Sequence, residues 1–427
     1  MPENKAAALT AHQIRSFWAA WAGWALDGMD SFIYALVMIP ALKELLPKSG
    51  LAADTANTGY YGGLLFALFL VGWGCSFVWG PVADRFGRVR TLAATILCYS
   101  LFTLLGGAAQ NVWQLAVYRF LAGVGIGGEW TLGGILVAEV FPESRRKQGA
   151  SYMHTGYYFG TLLAALLNYT IGAAYGWRAM FFVGGAPALL VALIRYGVHE
   201  PERWKSRMAE LKGWTPGQAF TSLFSPEYLR RTVLNSTFLL ISMVGLWAGS
   251  VYVPSSITVL AARQGIVGPD ATRLASIGTV ILSIATIIGC LMLPWFADRW
   301  GRRAALGFYF TLMAIFIELG FRYFFYQPNG LWPFIACLFF LGVGGANFAV
   351  YTLWLPEQYR TECRASAFAF ATSFGRFIAA GVTFLVGAAI SHHGSIGVPV
   401  AYTSIAFLVG LLLLPYGEET KGRDLPA

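Results

Sequence analysis

The chain has 427 residues, of which 57% are hydrophobic, 16% aromatic and only 12% charged, with a formal net charge of +9. Soluble domains carry about 25% charged residues, so this composition excludes a water-soluble globule and points to a helical membrane protein. The basic residues lie in short groups between apolar runs, which argues against a nucleic-acid partner and for topology signals in a lipid bilayer.

A membrane-crossing helix needs about 20 apolar residues. The polar start, from Met1 to about Gln13, carries no signal-peptide pattern, so the first span is expected to be both targeting signal and permanent anchor. Twelve spans are predicted near 16–46, 59–82, 91–110, 114–140, 148–173, 179–198, 232–260, 271–296, 304–325, 331–355, 365–390 and 398–416. The charged segment between the sixth and seventh divides the chain. It separates an N-terminal six-helix bundle (1–198) and a linker (199–231) from a C-terminal six-helix bundle with its tail (232–427). Of the 30 Lys and Arg residues, 21 fall on the side of the termini and linker and six on the other, leaving Arg119, Arg195 and Arg376 inside spans. Both termini and the linker are therefore expected to be cytoplasmic.

Within span one, Asp27 and Asp30 stand three residues apart and share a helix face. Neighbouring carboxylates resist double ionisation, so one can hold or release a proton. Alternatively, one of them caps a helix break at Gly28 or neutralises an arginine. Span four carries Arg119, Glu129 and Glu139 at ten-residue intervals, about 15 Å apart in depth. Glu129 is a second protonation candidate. Arg119 could bind a carboxylate or form a fixed pair with Asp27 or Asp30. His154, Tyr157 and Tyr158 in span five and Asn347 and Tyr351 in span ten are candidate cavity-wall groups, or helix-packing groups. Arg376, in span eleven, has no acid nearby in its own span. A charge at mid-bilayer costs at least about 2.5–3.5 kcal/mol, so an anionic ligand would complete it; Glu357 is the alternative.

Ala83-Asp84-Arg85-Phe86-Gly87-Arg88 returns 214 positions later as Ala297-Asp298-Arg299-Trp300-Gly301-Arg302. Each copy joins two apolar segments, and this duplication implies two related bundles. Gly87 and Gly301 allow a tight turn, and Asp84 and Asp298 can cap a neighbouring helix N-terminus. Arg85, Arg88, Arg299, Arg302 and Arg364 are placed to pair with Glu139 or Glu357, making a gate that breaks as one side opens.

At these residues the chain resembles the major facilitator superfamily over essentially its whole length. Gly80 to Arg88 is similar to that superfamily's loop 2–3 signature, 297–303 to its loop 8–9 copy, and Arg119 with Gly123, Gly125 and Gly127 to its span-four motif. Asp27-Gly28-Met29-Asp30 and Gly127-Gly128-Glu129-Trp130 resemble elements of the sialate, aromatic-acid and metabolite:proton symporters. Glu418 to Gly422 resembles a terminus shared by sugar porters and several organic-acid symporters. The resemblance implies an all-α protein of twelve membrane helices in two pseudo-symmetric bundles. It further implies alternating-access, proton-coupled uptake of a small organic anion. A carrier of sugars or neutral polyols, and a transporter-like sensor without flux, are the alternatives. No nucleotide-binding motif, metal-ligand spacing or nucleophile–base set emerges, so neither an enzyme nor a cofactor beyond the proton is expected. A monomer in a bacterial inner membrane is the expected setting.

Overall fold

The structure, a computed structural model, describes residues 9–186, 198–210, 216–250, 252–267, 269–393 and 395–426. Every regular element among them is helical. The first half holds α1 (Ala11–Lys48), α2 (Thr55–Cys75), α3 (Trp79–Phe86), α4 (Arg88–Gly107), α5 (Val112–Val140), α6 (Arg146–Leu167) and α7 (Ala173–Gly184). Two short helices, α8 (Glu202–Glu210) and α9 (Pro216–Thr221), occupy the linker. There follow α10 (Leu229–Ser250), α11 (Val253–Arg263), α12 (Pro269–Arg299), α13 (Arg302–Ile317), α14 (Leu331–Gly345), α15 (Asn347–Trp354), α16 (Arg364–His393), α17 (Gly397–Ala401) and α18 (Ser404–Leu413).

Eight helical segments among the described residues are long and apolar enough to cross a bilayer: Leu64–Phe86, Arg88–Gly107, Val112–Val140, Ile277–Arg299, Arg302–Tyr326, Leu331–Gln358, Arg364–Thr383 and Gly397–Tyr416. The four other expected spans fall on α1, on α6, on α7 and on α10 with α11. The predicted continuation of the sixth span, 187–197 with Arg195, lies outside the described residues. His392 and His393, expected at the outer end of span eleven, have side chains outside the described set. α1 and α6, absent from the apolar eight, are the helices that carry Asp27, Asp30, His154, Tyr157 and Tyr158.

Local chemistry sets the helix starts. Thr10 and Gln13 form a reciprocal capping box at the start of α1, and the Asn111 side chain accepts the Gln114 N–H at 2.9 Å to open α5. α1 runs unbroken through Gly28, so no helix break stands there for an aspartate to cap. Gly28 serves close approach instead: a β-carbon on it would overlap the backbone carbonyl of Tyr157 on α6.

The helices group into two compact units. The first takes in the chain up to Val233, Thr352–Phe377 and the residues from Arg423; the second comprises Leu234–Tyr351 and Ile378–Gly422. In the first, α1 packs on α5 and α6, and α5 also on α2 and α4. An apolar cluster at one end of that unit includes Leu42, Leu45, Leu115 and Phe181. In the second, α12 packs on α11 and α14, and α13 on α14 and α18.

Candidate functional site

Trp24, Asp27, Ser31 and Tyr34 recur at spacings of three and four along α1, hence on one face, and all four are buried. That face meets Trp130 from α5 and His154 and Tyr157 from α6, lies beside Glu129, and is extended at second hand by Tyr158 of α6 and Phe368 of α16. The Trp24 ring stacks on Trp130 with centroids 5.6 Å apart and lies 4.8 Å from Tyr157. The His154 ring is 5.8 Å from Trp24, 5.7 Å from Trp130 and 6.1 Å from Tyr158, and Phe368 meets Trp130 edge-on at 5.2 Å. Aromatic pairs of this kind contribute about 0.5–1.5 kcal/mol each beyond area burial. Trp130 Nε1 donates to Thr352 Oγ1 at 3.1 Å, which fixes the indole in place.

Three charged groups accompany this aromatic cluster. Asp27 and Glu129 are fully buried, and among the described residues neither carboxylate has a hydrogen-bond partner on either oxygen. Arg376 is buried too; its Nη1 donates to Thr372 O of its own helix at 2.9 Å. Its guanidinium lies 4.1 Å from the Trp73 ring centre and 5.9 Å from that of Trp130, a placement that favours a cation over the ring face. Asp27 interacts electrostatically with Glu129, Asp30 and Arg376, yet among the described residues Arg376 and Asp27 form no ion pair. Charges buried without partners cost several kcal/mol each unless neutralised. The arrangement suits a group that arrives from outside: an anion for the arginine and a proton for an acid.

Arg119 and Asp30 are arranged differently. Arg119 Nη1 lies 3.5 Å from Asp30 Oδ2, and the guanidinium rests 4.1 Å from the Phe69 ring centre and 4.9 Å from that of Tyr34. Of the two aspartates on α1, one thus has Arg119 beside it and the other does not, although they are a single turn apart. Asn347 and Tyr351 belong to the second unit and are engaged there. Asn347 Nδ2 donates to Gly344 O at 2.8 Å, while Tyr351 Oη donates to Phe238 O at 2.9 Å and lies 2.8 Å from Ser242 Oγ.

At the hairpin end of the first unit the buried acids are paired with arginines. Arg88 Nε and Nη2 donate to the two oxygens of Glu139 at 3.2 Å each, and Nη2 also to Thr361 O at 2.9 Å. Arg364 Nη1 reaches Glu139 Oε1 at 2.9 Å. Asp84 pairs with Arg88 at 3.1 Å, and its Oδ2 accepts the N–H and hydroxyl of Ser366 at 3.0 and 2.6 Å, in the first turn of α16. Arg146 bridges to Glu357 at 3.0 Å and also pairs with Glu143. Arg364 Nη2 and Arg146 Nη2 further donate to the carbonyls of Pro426 and Arg423. Arg85 is exposed, as are Asp298 and Arg299 of the second copy, whereas Arg302 is buried.

Gly87 and Gly301 take left-handed φ values of 109° and 89°, which glycine alone adopts cheaply. Each also leaves room for an acid from far along the chain. Glu200 accepts the N–H groups of Val89 and Arg90 at 3.1 Å, opening α4. Glu419 accepts those of Arg302 and Arg303 at 3.0 and 3.1 Å, opening α13. Exposed N–H groups and the helix dipole favour a carboxylate there. Replacing Glu200 with alanine is expected to cost about 1 kcal/mol, read as faster amide hydrogen exchange confined to 88–91.

Sequence reasoning missed Glu200 and Glu419 in this capping role, and Trp24, Trp73 and Phe368 in the aromatic cluster. A signal existed for Trp24, one turn before Asp27. For Glu419 the terminus Glu418 to Gly422 was a signal without a role attached, and none existed for the others, whose partners lie more than 100 positions away.

Comparison with known proteins adds three findings. The Major Facilitator Superfamily profile matches residues 20–278. The chain is 29% identical to a probable 4-methylmuconolactone transporter of Cupriavidus pinatubonensis, over 96% of this chain and 91% of that protein. It is 27% identical to the niacin transporter NiaP of Acinetobacter baylyi (96% and 94%) and 25% identical to the sialic acid transporter NanX of Escherichia coli (96% and 95%). Among solved structures, the proton:xylose symporter XylE bound to 6-bromo-6-deoxy-D-glucose superposes with a TM-score of 0.75 at 19% identity, covering 97% of this chain and 98% of that one.

Proposed function

The chain belongs to the Major Facilitator Superfamily, an integral membrane transporter of twelve-helix fold and not an enzyme, and from that premise we propose that it takes up a small organic carboxylate together with protons by alternating access. The observation that carries this reading is the buried trio of Arg376, Asp27 and Glu129, none of them in an ion pair among the described residues. Arg376 is the anion-binding group: a guanidinium binds a carboxylate through two parallel N–H···O bonds. The surrounding indoles of Trp73 and Trp130 exclude water, which strengthens that attraction. Asp27 and Glu129 are the groups that take and release the proton. A neutral acid crosses the occluded state without the penalty of an unpaired buried charge. His154, Tyr157 and Tyr158 line the same place and orient the ligand.

The cargo named for two relatives, niacin and sialic acid, is in each case a carboxylic acid, which supports the same class here. The likeness to a xylose symporter concerns the fold and leaves sugar as the rival cargo. The 21-to-six distribution of Lys and Arg supports cytoplasmic termini, and the bacterial sources of the relatives support a bacterial inner membrane as the setting. The hairpin-end network around Glu139 is then the cytoplasmic latch. No cofactor other than the proton enters this mechanism, and the transporter acts as a monomer.

The deciding experiment is uptake into proteoliposomes under an imposed pH gradient, with nicotinate, benzoate, muconate, sialate and xylose as probes. Carboxylate uptake that grows with the inward proton gradient is expected. In Asp27→Asn or Glu129→Gln, gradient-driven uptake falls at least about tenfold, equivalent to 1.4 kcal/mol, while carboxylate exchange at equal pH persists. Accumulation of xylose alone would replace the reading with a sugar carrier, and binding without flux with a sensor.

A further inference from the structure

We propose that Gly23 is the positioning residue for Glu129: the absent side chain on α1 leaves the space in which the Glu129 carboxyl lies, and so holds that acid over the face of α1 that bears Asp27. The inference rests on the proton-coupled reading above. Gly23 precedes Asp27 by four residues, so the two share one face of α1, a single turn apart. A β-carbon on Gly23 would overlap Glu129 Oε1 and stand 2.7 Å from Cδ and 3.5 Å from Oε2. The carboxyl therefore lies directly against the backbone of α1, with no hydrogen bond among the described residues to hold it there. Contact, not bonding, sets its place.

The glycines where α1 crosses α6 are of a different kind. A β-carbon on Gly28 would meet the backbone of Tyr157, and one on Gly160 the backbone of Ala25, so those residues let two helices approach. At Gly23 the opposing atoms are the far end of a flexible side chain, which can rotate aside without moving either helix. A methyl group at position 23 is thus expected to relocate the acid and leave the fold in place. Relocation changes the distance at which Glu129 acts on Asp27, and with it the proton affinity of both.

The test uses the full-length protein with Gly23→Ala, Glu129→Asp, Glu129→Gln and the combination G23A/E129D. In G23A, gradient-driven carboxylate uptake falls about tenfold and its pH profile moves, while exchange at equal pH stays within about twofold. The infrared carboxyl-stretch band that disappears in Glu129→Gln shifts in frequency in G23A. In G23A/E129D, whose carboxyl is one methylene shorter, uptake and band return at least halfway towards those of Glu129→Asp alone. An unmoved band in G23A, or a double variant equal to the product of the singles, overturns the proposal. Should G23A fail to fold while G23A/E129D folds, the space is shown to belong to the carboxyl. If both fail to fold, Gly23 is a packing glycine and the proposal falls. Intact coupling in Glu129→Gln would refute the proton role of Glu129 instead, and the infrared band would still decide where its carboxyl lies.

Discussion

Replacing Arg376 with alanine is expected to abolish carboxylate-dependent thermal stabilisation and to lower carboxylate uptake on the order of 10²–10³-fold, because truncating one partner of a desolvated charge pair costs about 2–5 kcal/mol. The residue is well suited to such a test. Among the described residues it makes one hydrogen bond, to a carbonyl in its own helix, so its removal breaks no hydrogen bond between the described helices. Folding should survive, since deleting an unpaired buried cation removes a desolvation penalty. Arg376→Lys is expected to rescue little: an ammonium offers a point charge where the guanidinium offers a planar fork stacked 4.1 Å from the Trp73 ring centre. The measurement is a thermal-shift titration with benzoate, nicotinate and sialate, paired with uptake. If the alanine variant retains more than half of the ligand-induced shift, Arg376 does not bind the anion. The matching control is Arg119→Ala, whose guanidinium already has Asp30 at 3.5 Å. It should lower thermal stability and leave the probe-induced shift comparatively intact.

Glu139→Ala is expected to have the largest effect on stability. It removes the carboxylate that Arg88 and Arg364, both buried, share, leaving Arg88 with Asp84 and both arginines with backbone carbonyls. Breaking a buried pair from one side costs about 3–5 kcal/mol. With an unfolding entropy of about 2.1 cal/mol/K per residue, that corresponds to a fall in melting temperature of roughly 3–6 °C. The same loss should show locally as more than tenfold faster hydrogen exchange in 83–90 and 360–366, because Arg88 also ties Thr361 and Asp84 ties Ser366. Glu139→Gln is expected to restore little, since its amide N–H groups would face arginine donors. Exchange rates unchanged at both segments would show that the network is not a latch.

How far the sequence reached depended on the kind of information each feature needs. Membrane crossing is a property of length and apolarity, and the turn at Gly87 and Gly301 needs only a residue that tolerates positive φ. The buried acids and arginines were likewise legible, since a charge inside an apolar run is conspicuous wherever the helix points. Their assignments were not equally legible. Asp27 and Asp30 look interchangeable in the sequence, yet Asp30 stands beside Arg119 and Asp27 does not. Asn347 and Tyr351 read equally as wall or packing groups; the structure engages Asn347 Nδ2 with the Gly344 carbonyl and Tyr351 with Phe238 O and Ser242, and leaves Asn347 Oδ1 without a hydrogen-bond partner among the described residues.

The sequence by itself determined that this chain is a helical membrane protein, that its hairpin is duplicated, and which titratable side chains had to be buried. Those follow from one-dimensional quantities: run length, charge spacing and repetition. Only the tertiary structure decided that Trp24 stacks on Trp130, that Arg376 from the eleventh span joins the unit holding Asp27, and that Glu200 and Glu419 open the helices after the two hairpin glycines. Each of those depends on helix rotation and on contacts between residues about 100 to 350 positions apart. Rotation is set by where backbones can approach, as Gly28 does against Tyr157, and by how side-chain volumes interlock across helices.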